Sequence, residues 1–380
     1  MKRKLLILYS KNPDEIYSRQ SALGSYIHSL SLLLEEKFDI YLNGEKKRSV
    51  TQNKIVTNSK YPSLKKIIPT PIKRIVNDLK LFRNQILLLQ SIEGKYDLIL
   101  EFYSYGSNVG YNISRHQKIP LFVVYDAPII DEYVHFNKVK PIFSRRIERL
   151  EKQTLKQADS IVVYSEPVQH YLEKRYRLKN KFVIHQNIDF SRFEYLGKKD
   201  YGKELNICFI GSFLKWHRVD LLVDVFTMLR ENKINAKLFL IGSGLEFENI
   251  KAMVAKNSFS NDIILTGFMD GKALSEIKAK MHIGVMPGSN WYGAPNKIFE
   301  YGAAKMAVIA PKTPTISYIF NEKTVMMFEN DSKASLYDQL FKLSTNIELI
   351  KSKSELLFAF IKQNYSETQT QKTYYKMFDI

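Results

Sequence analysis

Short apolar runs of strand type alternate along the chain with longer stretches in which apolar residues recur every three or four positions. Runs at 5–9, 98–101, 121–125, 160–164 and 182–185 in the first half are answered by runs at 206–210, 236–241, 263–266, 283–286 and 307–310 in the second. Strands covered on both faces read as continuous apolar runs, and the helices between them supply the crossovers of a parallel sheet. The expected fold class is α/β, with two Rossmann-like parallel-sheet domains. A polar, glycine-containing stretch at 194–204 is the natural linker. The expected domains are therefore 1–193 and 205–365, followed by a last helical run at 366–380. No internal repeat or low-complexity tract interrupts the rhythm.

Composition narrows the class. At roughly 100 to 200 residues per domain, 380 residues can build two cores, and 45% hydrophobic with 13% aromatic residues argues against disorder. No apolar run approaches the roughly 18 residues that a membrane-crossing helix needs. The opening Met1-Lys-Arg-Lys, followed by Leu5-Leu-Ile-Leu-Tyr9, imitates a secretory signal. Its apolar part is too short and no small-residue cleavage site follows, so it reads as a first strand in a cytoplasmic protein. The single cysteine, Cys208, excludes a disulfide framework or a Cys-based zinc site and fits a reducing compartment.

Charge adds a partner. With 57 Lys and Arg against 39 Asp and Glu, the formal net charge is +18, which implies nucleic acid, an acidic membrane surface or phosphorylated substrates. Half of that excess lies between residues 41 and 90, where Lys46, Lys47, Arg48, Lys54, Lys60, Lys65, Lys66, Lys73, Arg74, Lys80 and Arg83 meet only Glu45 and Asp78. From 64 to 90 the bases alternate with Ile67, Ile68, Ile72, Ile75, Val76, Leu79, Leu81, Phe82 and Ile86, and Pro69 and Pro71 divide the run into two pieces. A basic amphipathic segment of this kind can lie in the headgroup layer of an anionic bilayer, which is the expected partner of the 46–83 region. An ordinary surface helix with solvated charges is the competing reading. No nucleic-acid signature accompanies the charge, and no nucleic acid partner is expected.

Two stretches carry chemistry. In residues 287–311 a strand is followed by the loop Pro287-Gly-Ser-Asn-Trp-Tyr-Gly-Ala and then by a helix with Pro295 at its first position, where a missing N–H costs nothing. Free N–H groups at that helix start form a site for phosphate oxygens, and Gly293 permits close approach. Glu300 lies about 7.5 Å further along the axis and shares a face with Asn296 and Lys297. That spacing matches a nucleoside diphosphate whose ribose reaches the carboxylate; a solvated Glu300 is the alternative. In residues 206–226 a strand ends at Gly211, and the loop Ser212-Phe-Leu-Lys215-Trp-His217-Arg218 precedes another helix. Lys215 and Arg218 are placed to neutralise a departing diphosphate. Gly242-Ser-Gly244 lacks the third glycine of a dinucleotide fingerprint and reads as a turn.

These stretches resemble the nucleotide-binding domain of retaining GT-B glycosyltransferases, of the large family 4-like group that includes bacterial lipopolysaccharide and capsule sugar transferases. The matching pieces are Phe209-Ile-Gly-Ser-Phe with Trp216-His-Arg-Val-Asp-Leu-Leu, Leu238-Phe-Leu-Ile-Gly-Ser-Gly, Ile264-Leu-Thr-Gly-Phe268, Ile283-Gly-Val-Met-Pro287 and Pro295-Asn-Lys-Ile-Phe-Glu-Tyr301 with Val308-Ile-Ala. Ala158-Asp-Ser-Ile-Val-Val-Tyr-Ser165-Glu and Val183-Ile-His-Gln-Asn-Ile-Asp189 match more weakly in the first half.

The resemblance implies roles. Glu300 matches the second carboxylate of the family's E-x7-E motif, which binds the donor ribose. The first carboxylate falls at Tyr292, leaving that sugar contact to backbone or to Asn290. The family's phosphate-binding Arg and Lys fall near Ser212 and His217, so Lys215 and Arg218 become displaced substitutes. Gly211, Gly293 and Ala294 line the donor, and Phe268 and Met269 sit where the base is packed. Asp126, after Phe122-Val-Val-Tyr, takes the position of a His near the reacting sugar, either as a group that orients a hydroxyl or accepts a proton, or as a structural Asp. Gly24 corresponds to a first glycine loop that faces the phosphates. Where relatives have Asn-Gly-Val-Asp, this chain has Gln186-Asn-Ile-Asp189, a turn that Asn187 can sustain. The C-terminal helix of such folds crosses back onto the first domain.

The expected function is transfer of a sugar, with retention, from a nucleotide-diphosphate donor linked to UDP or GDP. The acceptor is a glycan or a polyprenyl-diphosphate-linked sugar at the inner face of the cytoplasmic membrane, in bacterial surface-polysaccharide biosynthesis. No metal or other cofactor is expected. A sugar-nucleotide epimerase shares the architecture, but no convincing acid–base set accompanies it. A non-catalytic protein binding anionic membranes or nucleic acid would leave the helix-start site unexplained.

Overall fold

In the first half, the apolar runs become members of one seven-stranded sheet. Its strands are β1 (Arg3–Leu8), β2 (Phe38–Leu42), β3 (Glu45–Lys46), β4 (Leu98–Phe102), β5 (Leu121–Val124), β6 (Ser160–Val163) and β7 (Lys181–Ile184), in the spatial order β3-β2-β1-β4-β5-β6-β7. All pairings are parallel except that of β3 with β2. The second half builds a parallel six-stranded sheet from β8 (Leu205–Ile210), β9 (Ala236–Ile241), β10 (Ile263–Gly267), β11 (Ile283–Val285), β12 (Ala307–Pro311) and β13 (Met326–Phe328), in the order β10-β9-β8-β11-β12-β13. This computed structural model describes residues 2–18, 21–47, 70–186, 199–202, 204–269 and 271–380. Two units result, one of Met1–Asn187 with Thr370–Ile380 and one of Ile188–Gln369.

Alternation along each strand explains the layers. Ile207 and Phe209 of β8 join Leu222 and Val225 in one core cluster, whereas Cys208 and Ile210 join Ile298 and Tyr301 in a second. Helices therefore cover both faces of the sheet, as a parallel sheet requires. Three strands went unpredicted. In β2, Phe38, Ile40 and Leu42 are buried while Asp39 and Tyr41 are half-buried, so the segment alternates instead of forming an apolar run. β3 and β13 span two and three residues, too few to show a period.

Pro71 also corrects an expectation. Instead of breaking the basic amphipathic run, it stands in the first turn of one 22-residue helix, Thr70–Ser91, where the absent N–H has no intrahelical partner to lose. Pro69, with Arg48, Lys54, Lys60, Lys65 and Lys66, lies outside the described residues, as do residues 187–198 with the Asn187 turn and most of the linker.

The chain's end belongs to the first unit from Thr370 onward. In the helix Glu367–Met377 the residues Thr370, Tyr374 and Met377 are buried. Thr370 Oγ1 lies 3.0 Å from His185 Nε2, and the Tyr374 hydroxyl 3.3 Å from that of Tyr26. Phe378 packs edge-on against Phe122 and Phe38, at 4.7 and 5.6 Å between ring centres. Truncating such a buried ring costs about 3–5 kcal/mol.

Candidate active site

Strand order locates the crevices. In the second unit the chain lays down β8, β9 and β10 to one side, then crosses to β11, β12 and β13 on the other. The loops after neighbouring β8 and β11 therefore leave in opposite directions at the C-terminal edge, the place where doubly wound sheets bind ligands. Both stretches singled out from the sequence are these two loops.

The first loop is pinned before it turns. The Gly211 N–H donates to the Ile241 carbonyl and the Phe213 N–H to that of Ser243, each at 2.9 Å. Gly211 has φ +153°, and a Cβ there would fall 2.5 Å from Lys297 Cε. Only glycine lets the Lys297 side chain lie across the strand end. Lys297 comes from the helix Asn296–Ala303, which is bolted to β8 through Tyr301: the Ile210 N–H donates to the Tyr301 hydroxyl at 2.8 Å. Pro295 caps this helix from outside instead of opening it, one residue earlier than expected, and its carbonyl accepts from the Ile298 N–H at 2.9 Å.

Lys297 and His217 form the basic pole of the crevice. His217 Nδ1 is 2.5 Å from the Ser212 carbonyl, and a carbonyl can only accept, so Nδ1 carries the proton. Nε2 is then an acceptor for the Lys297 ammonium, 3.1 Å away. Burial, followed by the neighbouring Lys297 charge, pushes the His217 pKa down to about 3, so the ring stays neutral. Burial likewise pushes Lys297 down to about 8, with Glu300 pulling the other way. Among the described residues the half-buried Glu300 is the acid that acts on this cation, and no ion pair with it forms, which suits an anionic ligand.

Arg218 is a correction. It adopts a left-handed conformation, φ 49°, at the cap of the helix Val219–Glu231. Its guanidinium bonds Asp220 at 3.2 Å and Asp331 from beyond β13, and the Asp220 hydrogen bonds do most to raise its pKa. It fastens the loop instead of pointing an unpaired charge at a phosphate. Lys215 is exposed at the start of the 3₁₀ turn Lys215–His217. Ser212 is exposed, with its carbonyl engaged by His217.

Around the second loop, Gly293, Ala294 and Glu300 are half-buried and Asn296 is exposed. Asn290 Oδ1 is buried with no hydrogen-bond partner among the described residues, which leaves an acceptor for a ligand hydroxyl. Tyr292, where the family has a carboxylate, is 4% exposed. Beyond β10, Phe268 is 66% exposed, whereas Met269 packs against the core. Of that pair Phe268 presents the larger surface to a base.

In the first unit the switch point lies between β1 and β4. Ser10 Oγ and Ser104 Oγ, each just past its strand, meet there at 2.7 Å. Asp126 follows β5 on the same edge and is exposed, yet crowding by protein and by Glu132 raises its carboxyl to about 6. Lys11 and a hydrogen bond from Tyr164 oppose the rise. Ser10, Lys11, Ser104, Glu132 and Tyr164 were not singled out in the sequence. For Ser10, Lys11, Ser104 and Tyr164 the available signal was their place at or just after the end of an apolar run.

Gly24 is the second correction. It lies in the first turn of the helix Ala22–Leu34, where its N–H donates to the capping Ser21 Oγ at 2.9 Å. A Cβ would fall 2.0 Å from the Ser18 carbonyl oxygen. Packing against the preceding turn, not an open glycine loop, requires glycine here. Among the described residues no group of three or more His, Cys, Asp or Glu side chains is arranged to hold a metal, and no helix is long and apolar enough to cross a membrane.

Two doubly wound sheets, each with a switch point at its C-terminal edge, define the class by fold: the chain has the GT-B architecture found in glycosyltransferases. Residues 204–346 match the family model described as Glycosyl transferases group 1, a span that contains every candidate from Gly211 to Glu300. An uncharacterized glycosyltransferase of Methanocaldococcus jannaschii, MJ1069, is 23% identical over 364 residues, which cover 91% of each chain. Among solved structures, a sucrose-phosphate synthase from Thermosynechococcus elongatus is similar with a TM-score of 0.72 at 14% identity, over 100% of this chain and 98% of that one. HepE of Anabaena, in complex with UDP, gives 0.70 at 11% identity over 100% of both chains.

Proposed function

We propose that the second unit binds a UDP- or GDP-linked sugar and that its glycosyl group passes, with retained configuration, to a glycan or polyprenyl-diphosphate-linked acceptor held by the first unit. The observation that carries this reading is the Lys297 ammonium, braced by a neutral His217 beside a helix start at the β8/β11 switch point. In the transfer the bond between the anomeric carbon and the β-phosphate oxygen breaks, and negative charge grows on the diphosphate. Lys297, with the positive end of the helix Asn296–Ala303 dipole, opposes that charge. Glu300 accepts from the ribose hydroxyls, Asn290 Oδ1 from a sugar hydroxyl, and Phe268 stacks on the base. The acceptor hydroxyl forms the new bond, and its proton leaves with the diphosphate. Asp126 orients that hydroxyl. A resident metal has no part in the proposal.

The basic first unit supports an acceptor at an anionic membrane face, and surface-polysaccharide assembly in a bacterium is the setting that uses such acceptors. HepE was solved with UDP, which favours a uridine donor as the first to try. A panel of UDP, GDP, ADP and CDP, read by melting temperature, should show one clear stabilisation. Glu300→Gln should weaken that ligand about tenfold, the loss of one charge-assisted hydrogen bond. A panel with no shift refutes the reading.

A further inference from the structure

The helix Thr70–Ser91 turns Asp78, Phe82, Gln85 and Leu88 inward and leaves Ile72, Val76, Leu79, Ile86 and Leu87 between 49% and 53% exposed. Lys73, Lys80 and Arg83 are exposed among them. The only acid from 71 to 90 is Asp78, which is buried. The outer face is thus apolar and purely basic.

A second segment has the same character, although nothing in the sequence links the two. At the end of the helix Ile129–Asn137, Phe136, Val139 and Ile142 are 46%, 46% and 54% exposed. Lys138, Lys140, Arg145 and Arg146 are exposed, and residues 137–146 contain no acid. The fold joins this segment to the helix Thr70–Ser91. Arg74 Nη2 donates to the Asn137 carbonyl at 3.3 Å, the Arg146 guanidinium lies 4.5 Å over the Phe82 ring, and Phe82 meets Phe143 edge-on at 5.9 Å.

We propose that the outer face of the helix Thr70–Ser91 and residues 136–146 form one docking surface for an anionic lipid bilayer. Exposed apolar side chains enter the headgroup layer while the flanking bases meet lipid phosphates. A second copy meeting through the same face would set bases against bases. Nucleic acid would satisfy the bases and leave the apolar side chains uncovered. The surface also stands in a useful place. The helix Ile129–Asn137 begins three residues after Asp126 and ends at the surface, a span of about 13 Å, so a lipid-linked acceptor can keep its tail in the bilayer with its sugar near Asp126. That purpose rests on the proposed function; the surface does not.

The test is flotation of the full chain with phosphatidylcholine vesicles, with and without phosphatidylglycerol. Wild type should float only with phosphatidylglycerol, and less as salt rises. Each base near an anionic leaflet strengthens binding about fivefold, so Lys138→Ser/Lys140→Ser/Arg145→Ser should weaken it about a hundredfold. Ile72→Ser/Val76→Ser should weaken it while leaving the salt dependence in place. Both variants should keep the wild-type melting temperature and nucleotide affinity. Failure of wild type to float, or a triple variant that floats like wild type, overturns the proposal. So does a lipid-free dimer that the same substitutions dissolve, which would assign the face to a second copy. A failed nucleotide panel with intact flotation would refute the glycosyl-transfer reading alone.

Discussion

Replacing Lys297 by methionine removes one positive charge from the β8/β11 crevice while keeping the reach of the side chain. Burial lowers this ammonium from 10.5 to about 8, which corresponds to about 3 kcal/mol held against the charged form in the empty protein. A diphosphate beside it would relieve that burden, so Lys297→Met should weaken a nucleoside diphosphate by roughly thirty- to a hundredfold at pH 7. The pH profile makes the test specific. Below pH 8 the free protein carries Lys297 charged and affinity should be level; above it, wild-type affinity should fall by about tenfold per pH unit, and Lys297→Met should lose that limb. Both tryptophans of the chain, Trp216 and Trp291, lie in the two site loops, so fluorescence titration reads binding directly. Arg218→Gln serves as the contrast. Its guanidinium is tied to Asp220 and Asp331, a partly exposed pairing whose loss should change affinity by less than about fivefold. If Lys297→Met binds as wild type does, or keeps the limb above pH 8, the basic pole is misassigned.

Two further outcomes follow from titrating groups in the first unit. With the Asp126 carboxyl raised to about 6 by its crowded surroundings and Glu132, kcat/KM should fall as pH drops through 6; Asp126→Asn should lack that limb and run about 10²- to 10⁴-fold slower. A limb that survives in the variant removes Asp126 from acceptor handling. His185 is buried and held down to about 4 against 6.5 unfolded. Between those values the unfolded chain binds the extra proton, so stability should fall as pH falls from 6.5 to 4, by up to about 3 kcal/mol. His185→Gln, with its partner Thr370 intact, should flatten that loss in a melting series, and an unchanged slope would show that His185 does not carry it.

The two candidate loops were legible because their signals are local. A glycine at a strand end, a proline at a helix start and a carboxylate one turn further on are consequences of backbone geometry within a few residues. Glu300, Asn296 and Gly211 could therefore be read without knowing what surrounds them. Arg218 could not. Its sequence neighbours suggested a phosphate ligand, whereas Asp331, 113 residues away, claims the guanidinium. Lys297 and His217 are 80 residues apart, and each looked ordinary until the sheet brought the two loops together. Gly24 failed in the opposite way: a glycine near a helix start suggested a ligand loop, and the Ser18 and Glu15 carbonyls show that it serves packing.

By itself, then, the alternation of apolar runs and helical periods determined two parallel-sheet α/β units, because strands covered on both faces must be apolar throughout. Local turn chemistry marked the two loops that the fold brings together at the second sheet's switch point. Only the tertiary structure decided the strand orders, and with them which loops diverge at a switch point, since strand pairing is a contact between distant segments. Charge shows the same division. The composition announced a basic protein and placed half of its excess in fifty residues, but helix packing decided that Asp78 faces inward and that residues 136–146 extend the basic, apolar face.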